Sequence, residues 1–560
     1  MQRGIFVFLP PLLNMMKRAL LTVVAAVLLT APLAAQNDFE IAKNVDIFVS
    51  ILKELNDKYA DEISPGALTQ TAIDAMLNSL DPYTVFYPES EIEDFRMMTT
   101  GQYGGIGALI QQHGKDVVIS EPYEGTPSQK SGLRAGDVVR KVNGQSLEGK
   151  NSSDVSAAMK GQPGSTLVLE VFRPSENKNL TFNIVREEIK MPNIPYSGML
   201  DKEIGYVKLD QFTEKASSEV REAFLKLKEQ GMKYFILDLR DNGGGLLNEA
   251  VNIMNIFVDK GVQIVETKGK IPELQRVHKT MAPATDKDIP VVVLVNDHSA
   301  SASEIVSGAF QDLDRGVIVG KKSFGKGLVQ NVLPLDYNTS LKITVAKYYI
   351  PSGRCVQNIE YFDKDTTKGA FKIPDSLAVA YKTKNGRTVY DKGGVEPDVI
   401  TEDSLLSEIL LSLVTHNLVF DFANDYRAKH ESIPPADQFT VDDKLYQEFV
   451  NFLKDKDYSY KTVTEELLEK LKTAAQEDRV FKDIEPYYNQ LKEKLKQEKS
   501  EDLTRYKDEI CKYLASEIVV RYYYQKGRII NMLSEDNDIA VAKAILLDKA
   551  RYNSILSPKK

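Results

Sequence analysis

The chain has 560 residues, too many for one hydrophobic core, so several domains are expected. Its composition is that of a globular protein, and its net charge of -9 argues against nucleic acid as a partner. The two cysteines are too few for a thiolate metal cluster. Whether Cys355 and Cys511 form a disulfide stays open, because separation in sequence does not give distance in space.

Residues 1–36 have the pattern of a secretory signal peptide. Lys17 and Arg18 precede an apolar run from Ala19 to Leu33, and small residues follow it. Met16 is then the expected natural start. The pattern predicts export to the periplasm or cell envelope. An uncleaved membrane anchor is the alternative, because the run is only slightly short for a membrane span.

Residues 37–98 are predicted to be a helical region. Ile41, Val45 and Phe48 recur at steps of three and four residues, as do apolar residues further along, which describes one face of an amphipathic helix. A packing or dimerisation element is the interpretation that this pattern favours.

Residues 99–190 change to short strand-like runs separated by glycine-rich turns. Strands are predicted at Ile106–Ile110, Asp116–Ser120, Val138–Val142 and Thr166–Phe172, with two short helices between them. This mixture fits one small, partly open β-barrel.

Residues 191–400 alternate between buried strands and amphipathic helices. Such alternation predicts an α/β layer whose sheet is covered on both faces. Residues 401–560 are rich in Lys, Glu and Leu and predict a helical region, with long solvent-facing helices at Leu467–Lys496 and Leu503–Leu533.

Residues 296–304, with the sequence NDHSASASE, join a buried strand to a helix. A serine at this turn would lie at the carboxyl edge of the sheet and beside a helix N-terminus, whose N–H groups can stabilise an oxyanion. A serine N-cap surrounded by small packing residues is the plainer interpretation of this stretch on its own.

Residues 323–330, with the sequence SFGKGLVQ, place Lys326 between two glycines at the start of a predicted strand. A neutral lysine can serve as the base for a serine hydroxyl if burial lowers its pKa. Gln330, four residues on, would share a strand face with Lys326 and could orient the amine. A phosphate-binding loop is disfavoured, because such a loop needs more glycines before the lysine and a Ser or Thr after it.

Residues 238–245, with the sequence DLRDNGGG, follow another buried strand. Exposed glycine amides there could donate to an oxyanion, although a plain strand-to-helix turn explains the stretch equally well.

Taken in their order along the chain, the three motifs resemble those of the carboxy-terminal processing (tail-specific) protease family, and the resemblance covers roughly residues 80–399. The resemblance implies Ser301 as nucleophile, Lys326 as general base and Gln330 as its support. It also implies Ala302 and Gly244 as oxyanion donors and a supporting role for Asp312.

Two departures from the family pattern stand out. Asp241 stands where the family often has asparagine. Lys321 and Lys322 replace a common Glu-Pro pair.

The stretch YGGIGA at residues 103–108 is similar to the carboxylate-binding loop of a PDZ domain. The resemblance implies that backbone amides around Gly105, Ile106 and Gly107 hold a terminal carboxylate while the peptide adds a strand to the sheet edge. The stretch at residues 127–137 and the Asn143-Gly144 turn follow in the order that bacterial PDZ domains have.

His298 invites a Ser-His-Asp interpretation, but a base three residues from Ser301 would have to fold back across the turn. A loop or capping histidine is the interpretation we prefer. The trypsin-like PDZ proteases are the nearest rival enzymes, but they place the PDZ domain after the protease and flank their serine with glycines.

The expected fold is therefore a multidomain α/β chain, in which a PDZ barrel precedes a ClpP/crotonase-like protease core and helical regions flank both. The expected function is an exported serine endopeptidase without metal or cofactor, acting on proteins with exposed, apolar C-termini. A homodimer and a regulatory adaptor stay open. The alternatives are a non-catalytic PDZ scaffold and a chaperone-like peptide-binding protein.

Overall fold

The computed structural model describes residues 38–91, 96–97, 99–361, 370–391, 393–402 and 406–558. The signal segment predicted at residues 1–36 lies outside the described residues. Contacts divide the chain into two compact units, residues 1–86 and 87–560. Within the described ranges, no helix combines the length and the apolar composition that crossing a membrane requires.

The first unit contains two helices, α1 (residues 38–58) and α2 (Pro65–Asn78). Ser64 caps α2 by accepting a hydrogen bond from the Ala67 N–H, and Pro65 occupies the first turn, where no N–H is needed. The predicted apolar face of α1 exists but is exposed, including Ile41, Val45 and Phe48. A short strand, β1 (Val85–Tyr87), follows.

The next part of the chain forms a small barrel-like sheet with two helices. Its elements are β2 (Gln102–Gly105), β3 (Ala108–His113), β4 (Asp116–Pro122), α3 (Pro127–Ser131), β5 (Val138–Val142), β6 (Gln145–Ser146), α4 (Ser152–Met159), β7 (Thr166–Arg173), β8 (Lys178–Val185) and β9 (Glu187–Lys190). The sheet order is β3-β4-β5-β7-β8, with β6 beside β5, so β3 is an edge strand. Ile106 lies in the core of this domain, and the strand predicted to begin there begins at Ala108 instead.

The central part is a parallel sheet flanked by helices, together with an antiparallel sheet. Its elements are β10 (Tyr196–Met199), β11 (Ile204–Lys208), α5 (Ala216–Glu229), β12 (Tyr234–Asp238), α6 (Leu247–Phe257), β13 (Gln263–Gly269), β14 (Arg276–Lys279), β15 (Val291–Val295), α7 (Ala302–Asp312), β16 (Val317–Gly320), β17 (Leu328–Leu335), β18 (Thr339–Tyr349), β19 (Ile359–Glu360), β20 (Phe371–Lys372), β21 (Ala380–Lys382), β22 (Thr388–Tyr390) and β23 (Val399–Ile400). The main sheet has the order β10-β11-β12-β15-β16-β23, and every pair except β10–β11 is parallel.

The last part is helical, as predicted. Its helices are α8 (Glu408–Thr415), α9 (Leu418–Lys429), α10 (Asp443–Phe452), α11 (Val463–Glu477), α12 (Phe481–Ser500), α13 (Asp502–Arg505), α14 (Lys507–Leu533), α15 (Asn537–Leu547) and α16 (Lys549–Ile555). Cys355 and Cys511 are unpaired thiols, which answers the open question about a disulfide.

The prediction of one long helix at Leu467–Lys496 is wrong. The chain reverses between α11 and α12, where Arg479 takes a left-handed backbone conformation with φ of 63°. The reversal lets the hydroxyl of Tyr488 donate to Glu469 at 3.0 Å across the resulting helical hairpin. Charge-rich helical sequence continues through such a turn, so periodicity alone did not locate it.

The C-terminal helices α9 and α14 dock on the small β domain. Phe420 packs against Val118 and Val138, and His113 lies 3.0 Å from the carboxylate of Asp421. The hydrogen bond to Asp421 raises the pKa of the His113 imidazole, and burial lowers it. The hydrogen bond is the larger effect, so the pKa is raised. The helical region therefore holds the small domain through both apolar and polar contacts.

The two faces of the parallel sheet are covered by helices from different parts of the chain. On one face α5, α6 and α7 share a hydrophobic core with the strands. On the other face lie Ile539, Ala542, Ile545 and Tyr552, which come from α15 and α16 at the far end of the chain. The prediction that both faces are covered is confirmed, and the helices on the second face come from residues 401–560, which were predicted only to form a helical region.

Tyr552 fixes this C-terminal return to the sheet. Its hydroxyl accepts from the Val291 N–H at 3.0 Å and lies 3.1 Å from the Val291 carbonyl oxygen, so it satisfies the backbone at the start of β15. A buried N–H without a partner is costly.

We expect Tyr552→Phe to lower the free energy of unfolding of the central domain by about 1–3 kcal/mol, because the Val291 N–H loses its acceptor. Thermal unfolding followed by calorimetry checks this. Tyr337→Phe is the matched control, because Tyr337 is 92% exposed. Equal midpoints for the two variants would contradict the role given to Tyr552.

Candidate active site

Three loops meet at the carboxyl edge of the parallel sheet. Residues 239–246 follow β12, residues 296–301 follow β15, and residues 321–327 follow β16. These strands are neighbours and parallel, so their carboxyl ends lie side by side. This is the edge where open α/β sheets bind ligands, and it brings together the three motifs found in the sequence.

Ser301 occupies the turn between β15 and α7. It is half-buried and has φ of 56° and ψ of -111°, a conformation that is strained for a residue with a side chain. Its N–H donates to Glu304 Oε2 at 2.9 Å, and its carbonyl accepts from the hydroxyl of Tyr348 at 3.2 Å. The turn is thus held from both sides in a conformation that it would not adopt alone.

Glu304 is completely buried and accepts hydrogen bonds from both sides of the site. Its Oε1 accepts from Ser323 Oγ at 2.6 Å and from the Gly325 N–H at 2.8 Å. Its Oε2 accepts from the backbone N–H groups of Ser301 and Lys326, at 2.9 and 2.8 Å. The backbone of the predicted nucleophile and that of the predicted base are therefore bonded to the same oxygen atom.

Burial raises the pKa of the Glu304 carboxyl, and the hydrogen bonds from Ser323 and the backbone oppose that rise. In the sequence, Glu304 is recognisable only as the last residue of the serine motif. A glutamate three residues after a serine at a helix start is the capping-box signature, which could have identified it as the residue that closes the turn. No local pattern shows that the same carboxylate also holds the loop after β16.

Lys326 lies in the loop before β17, where close packing requires its two glycine neighbours. Gly325 has φ of 89°, and a Cβ there would lie 2.5 Å from Asn358 Cβ. A Cβ on Gly327 would lie 2.9 Å from Cys355 Sγ, and the Gly327 N–H donates to Gln357 at 2.6 Å. The segment containing Cys355 and Asn358 thus clamps the lysine loop from outside.

Gln330 does not share a regular strand face with Lys326. The strand begins at Leu328, and the register shifts between Val329 and Gln330, so the alternation assumed from sequence does not hold. The side-chain amide of Gln330 donates to Thr344 Oγ1 on β18 at 3.2 Å.

Gly244 lies against Ser301. Its φ is 101°, and a Cβ there would lie 2.8 Å from Ser301 Cβ and 2.9 Å from the Ala302 nitrogen. Only glycine fits this approach. The Ala302 N–H belongs to the first turn of α7, where no helical acceptor exists, and within the described residues it has no other acceptor.

The Gly244 N–H donates to Asn242 Oδ1 at 2.9 Å. An oxyanion at this position must therefore compete with Asn242 for that donor, while the Ala302 N–H needs no such exchange. Asp241, which comes directly before Asn242, has φ of 64°, a left-handed conformation that Asn and Asp adopt more readily than other side chains. Aspartate is therefore a suitable residue for the backbone conformation at position 241.

The serines on either side of Ser301 have structural roles. Ser299 and Ser303 are fully buried, and their hydroxyls donate to the carbonyls of Leu239 and Asn242, each at 2.8 Å. His298 is exposed in the loop, and its backbone N–H donates to Asn296 Oδ1. The hydroxyls of Ser299 and Ser303 therefore bind the loop after β12 to the turn that contains Ser301.

Asp312 is not brought to the Ser301 end of the site. It ends α7, about 16.5 Å from Ser301 along the helix axis at 1.5 Å per residue. Its carboxylate lies 2.9 Å from the Arg354 guanidinium and accepts from the Ser352 N–H at 3.0 Å. This arrangement supports the segment after β18 and places no group of Asp312 near the nucleophile.

Gly105 ends β2, and Ile106 and Gly107 connect it to the edge strand β3. The Gly107 carbonyl accepts from the Tyr123 N–H and from the hydroxyls of Thr126 and Ser128, while the Ile106 carbonyl accepts from the Ser128 N–H. These bonds hold the Ile106 and Gly107 carbonyls, which lie on either side of the Gly107 N–H along the backbone. In addition, β3 is the last strand of its sheet and has one edge available for a further strand.

Comparison with family models divides the chain into three matched stretches. Residues 104–184 match the PDZ domain, residues 203–367 match peptidase family S41, and residues 409–546 match the model described as "Probable PDZ-protease, C-terminal helical domain".

Curated relatives are similar over most of the same region. A carboxy-terminal-processing protease from Bartonella bacilliformis is 35% identical over 356 residues, which covers 61% of this chain and 81% of the relative. A probable CtpA-like serine protease from Staphylococcus aureus is 35% identical over 341 residues, covering 60% of this chain and 67% of the relative.

Among solved structures, the photosystem II D1 C-terminal processing protease is 29% identical and covers 64% of this chain and 87% of that chain. Its TM-score is 0.35, so the family to which this chain belongs is inferred from the sequence relatives and not from this structure.

We expect Gly244→Ala to reduce hydrolysis of a peptide reporter by about 100-fold or more, the usual cost of losing an oxyanion donor. The added Cβ would collide with Ser301 Cβ and the Ala302 nitrogen. Gly243→Ala is the control in the same loop, since a Cβ there has open space and the backbone needs no positive φ. Steady-state rates for both variants check this, and similar losses in both would contradict the specific role of Gly244.

Proposed function

Because this chain belongs to peptidase family S41 together with the carboxy-terminal-processing proteases, we propose that it cleaves proteins after recognising their C-terminal tails. It is a serine-type peptidase with a PDZ domain. In our proposal Ser301 is the nucleophile and Lys326 the general base. The observation that supports this pair is the buried Glu304 carboxylate, which binds the backbone N–H of both residues through one oxygen.

In the proposed mechanism, neutral Lys326 accepts the Ser301 hydroxyl proton as the serine attacks the scissile carbonyl. The Ala302 N–H and the Gly244 region stabilise the oxyanion. The protonated lysine then gives its proton to the leaving amine, and the acyl-enzyme forms. Water hydrolyses the acyl-enzyme with Lys326 acting again as base. Gln330 orients the lysine in this proposal, whereas Asp312 acts only through the fold.

The proposed route to the site begins at the PDZ domain. A tail would add as a strand to the open edge of β3, and the loop containing Gly105, Ile106 and Gly107 would hold its carboxylate. Apolar last residues are proposed because β3 and α4 bear the apolar side chains Ile110 and Met159, which belong to the hydrophobic cluster of this domain. Substrates are therefore proteins or peptides with exposed, apolar C-termini, and a regulatory adaptor is left open.

The domain division that we propose follows the sequence expectation with one change. Residues 37–98, 99–190, 191–400 and 401–560 remain the four parts after a signal segment at residues 1–36, except that α15 and α16 belong with the parallel sheet. Export to the periplasm or cell envelope is proposed from that signal segment alone. The non-catalytic scaffold and the chaperone-like alternative are set aside, because the matched relatives are named as proteases.

We expect the wild-type chain to cleave an unfolded reporter that has an apolar C-terminal tail, and Ser301→Ala and Lys326→Ala to abolish that cleavage. A reporter whose last carboxyl is amidated should be cleaved more slowly, because the PDZ loop loses its charged ligand. Lys322→Ala is the matched control, as Lys322 is an exposed lysine of the same loop and should retain activity. The measurement is product formation resolved by mass spectrometry.

The pH profile separates a lysine base from other bases. Only the neutral amine accepts a proton, so the rate should rise from mild acid to alkaline pH. Undiminished cleavage by Ser301→Ala or Lys326→Ala, or a flat profile, would show that the catalytic assignment is wrong.

We also propose that α1 associates with a second copy of the chain. Phe39, Ile41 and Val45 are 69%, 63% and 55% exposed, which is unusual for large apolar side chains on one helix. Sedimentation equilibrium of the mature chain should therefore give a dimer mass, and Val45→Asp should shift it to the monomer because a charge would have to be buried. A monomer mass for the unaltered chain would contradict this.

A further inference from the structure

Arg240 is bound by carboxylates from two distant parts of the chain. Its guanidinium donates to Asp238 at 3.0 and 2.6 Å, to Asp536 at 3.1 Å and to Asp538 at 2.9 Å. The side chain is only 17% exposed. Burial would raise the pKa of Asp238, but Arg240 and Lys208 outweigh it and lower that pKa to about 2, so the Asp238 carboxylate is charged at neutral pH. Because the guanidinium is a planar fork, three carboxylates around it define its orientation.

Asp536 and Asp538 stand at the N-terminus of α15. Asp536 caps the helix, and its Oδ1 accepts from the Ile539 N–H at 3.1 Å. Ile539, Ala542 and Ile545 are buried against the parallel sheet. The position of both carboxylates is therefore determined by the docking of the last helices on the sheet.

Arg240 begins the loop that reaches Ser301. Two residues on, the Asn242 carbonyl accepts from the Ala300 N–H at 3.0 Å and from Ser303 Oγ at 2.8 Å. Two residues further, Gly244 lies against Ser301. The Arg240 carbonyl itself accepts from Lys208 Nζ at 3.1 Å. A short, well-bonded segment thus connects the guanidinium cluster to the oxyanion region.

We propose that Asp536 and Asp538 are positioning residues for catalysis: they orient Arg240 and, through it, the loop that presents Gly244 beside Ser301. The inference rests on the proposed function, because it assigns the loop its oxyanion role. The C-terminal end of the chain then contributes to the active site, although it lies more than 200 residues after Ser301 in the sequence. Neither aspartate touches the reacting atoms.

The test is the double variant Asp536→Asn with Asp538→Asn in the full chain. Asparagine keeps the size of each side chain and remains a good N-cap, so the change removes charge and leaves the helix start intact. We expect kcat for the apolar-tail reporter to fall by at least about tenfold, since misplacing a catalytic group by 1 Å costs on the order of 100-fold. KM should stay within about twofold, because the PDZ domain that recognises the tail is not altered.

Asp201→Asn is the matched control. Asp201 accepts from Lys543 of the same helix at 3.2 Å but has no contact with Arg240 among the described residues. If the proposal holds, this variant keeps the wild-type kcat. An equal fall in kcat for Asp201→Asn would mean that any loosening of α15 has the same effect, which would overturn the specific role of Asp536 and Asp538.

Hydrogen exchange supplies a readout that does not depend on activity. In the Ser301→Ala background, amides of residues 240–246 should exchange faster when both aspartates are replaced, and at the unaltered rate with Asp201→Asn. Unchanged exchange together with unchanged kcat would overturn the proposal. Cleavage that persists in Ser301→Ala would instead refute the proposed function. If the double variant does not fold, Asp538→Asn alone gives the same comparison with the Asp536 cap in place.

Discussion

A single buried carboxylate, that of Glu304, holds together the two loops of the candidate active site. Glu304 has no exposed surface, and a buried carboxylate is tolerated only when its oxygens are fully hydrogen-bonded. The donors are Ser323 Oγ and three backbone N–H groups, from Ser301, Gly325 and Lys326. Since these donors belong to two separate loops, satisfying Glu304 and assembling the site are one requirement.

The parallel sheet makes that requirement possible. Its neighbouring strands β12, β15 and β16 end at one edge, so three loops that are far apart in sequence become adjacent. Three glycines in those loops leave no space for a side chain. Gly244 lies against Ser301, while Gly325 and Gly327 lie against the segment around Cys355 and Gln357. Ser301, the proposed nucleophile, is thus held in a strained turn by the residues packed around it.

The rest of the chain is arranged around this core. The PDZ domain presents an open strand edge at β3 and is held by the helical region through Phe420 and Asp421. The last helices then return to cover the second face of the sheet, and their Asp536 and Asp538 form ion pairs with Arg240 in the loop after β12. The PDZ domain, the sheet that carries the candidate site and the C-terminal helices therefore belong to one compact unit, residues 87–560.

Much of this was readable from local sequence. The strands at Val138–Val142 and Thr166–Arg173 lie within a residue of their predicted ends, because apolar periodicity and glycine turns are local signals. Prediction was less successful where a backbone irregularity interrupts a favourable pattern. The bulge before Gln330 and the left-handed Arg479 are such cases, and both interrupt sequence that is regular in composition.

The sequence by itself determined the family, the order of the domains and which serine, lysine and glycines form the motifs. It did so because those residue types are required by chemistry or by steric fit within a few neighbouring positions. Only the tertiary structure decided that Glu304 binds both loops, that Asp312 faces away from Ser301, and that Asp536 and Asp538 reach Arg240. These contacts join residues whose separation in sequence carries no information about distance, so they exist only once the sheet and its covering helices have packed.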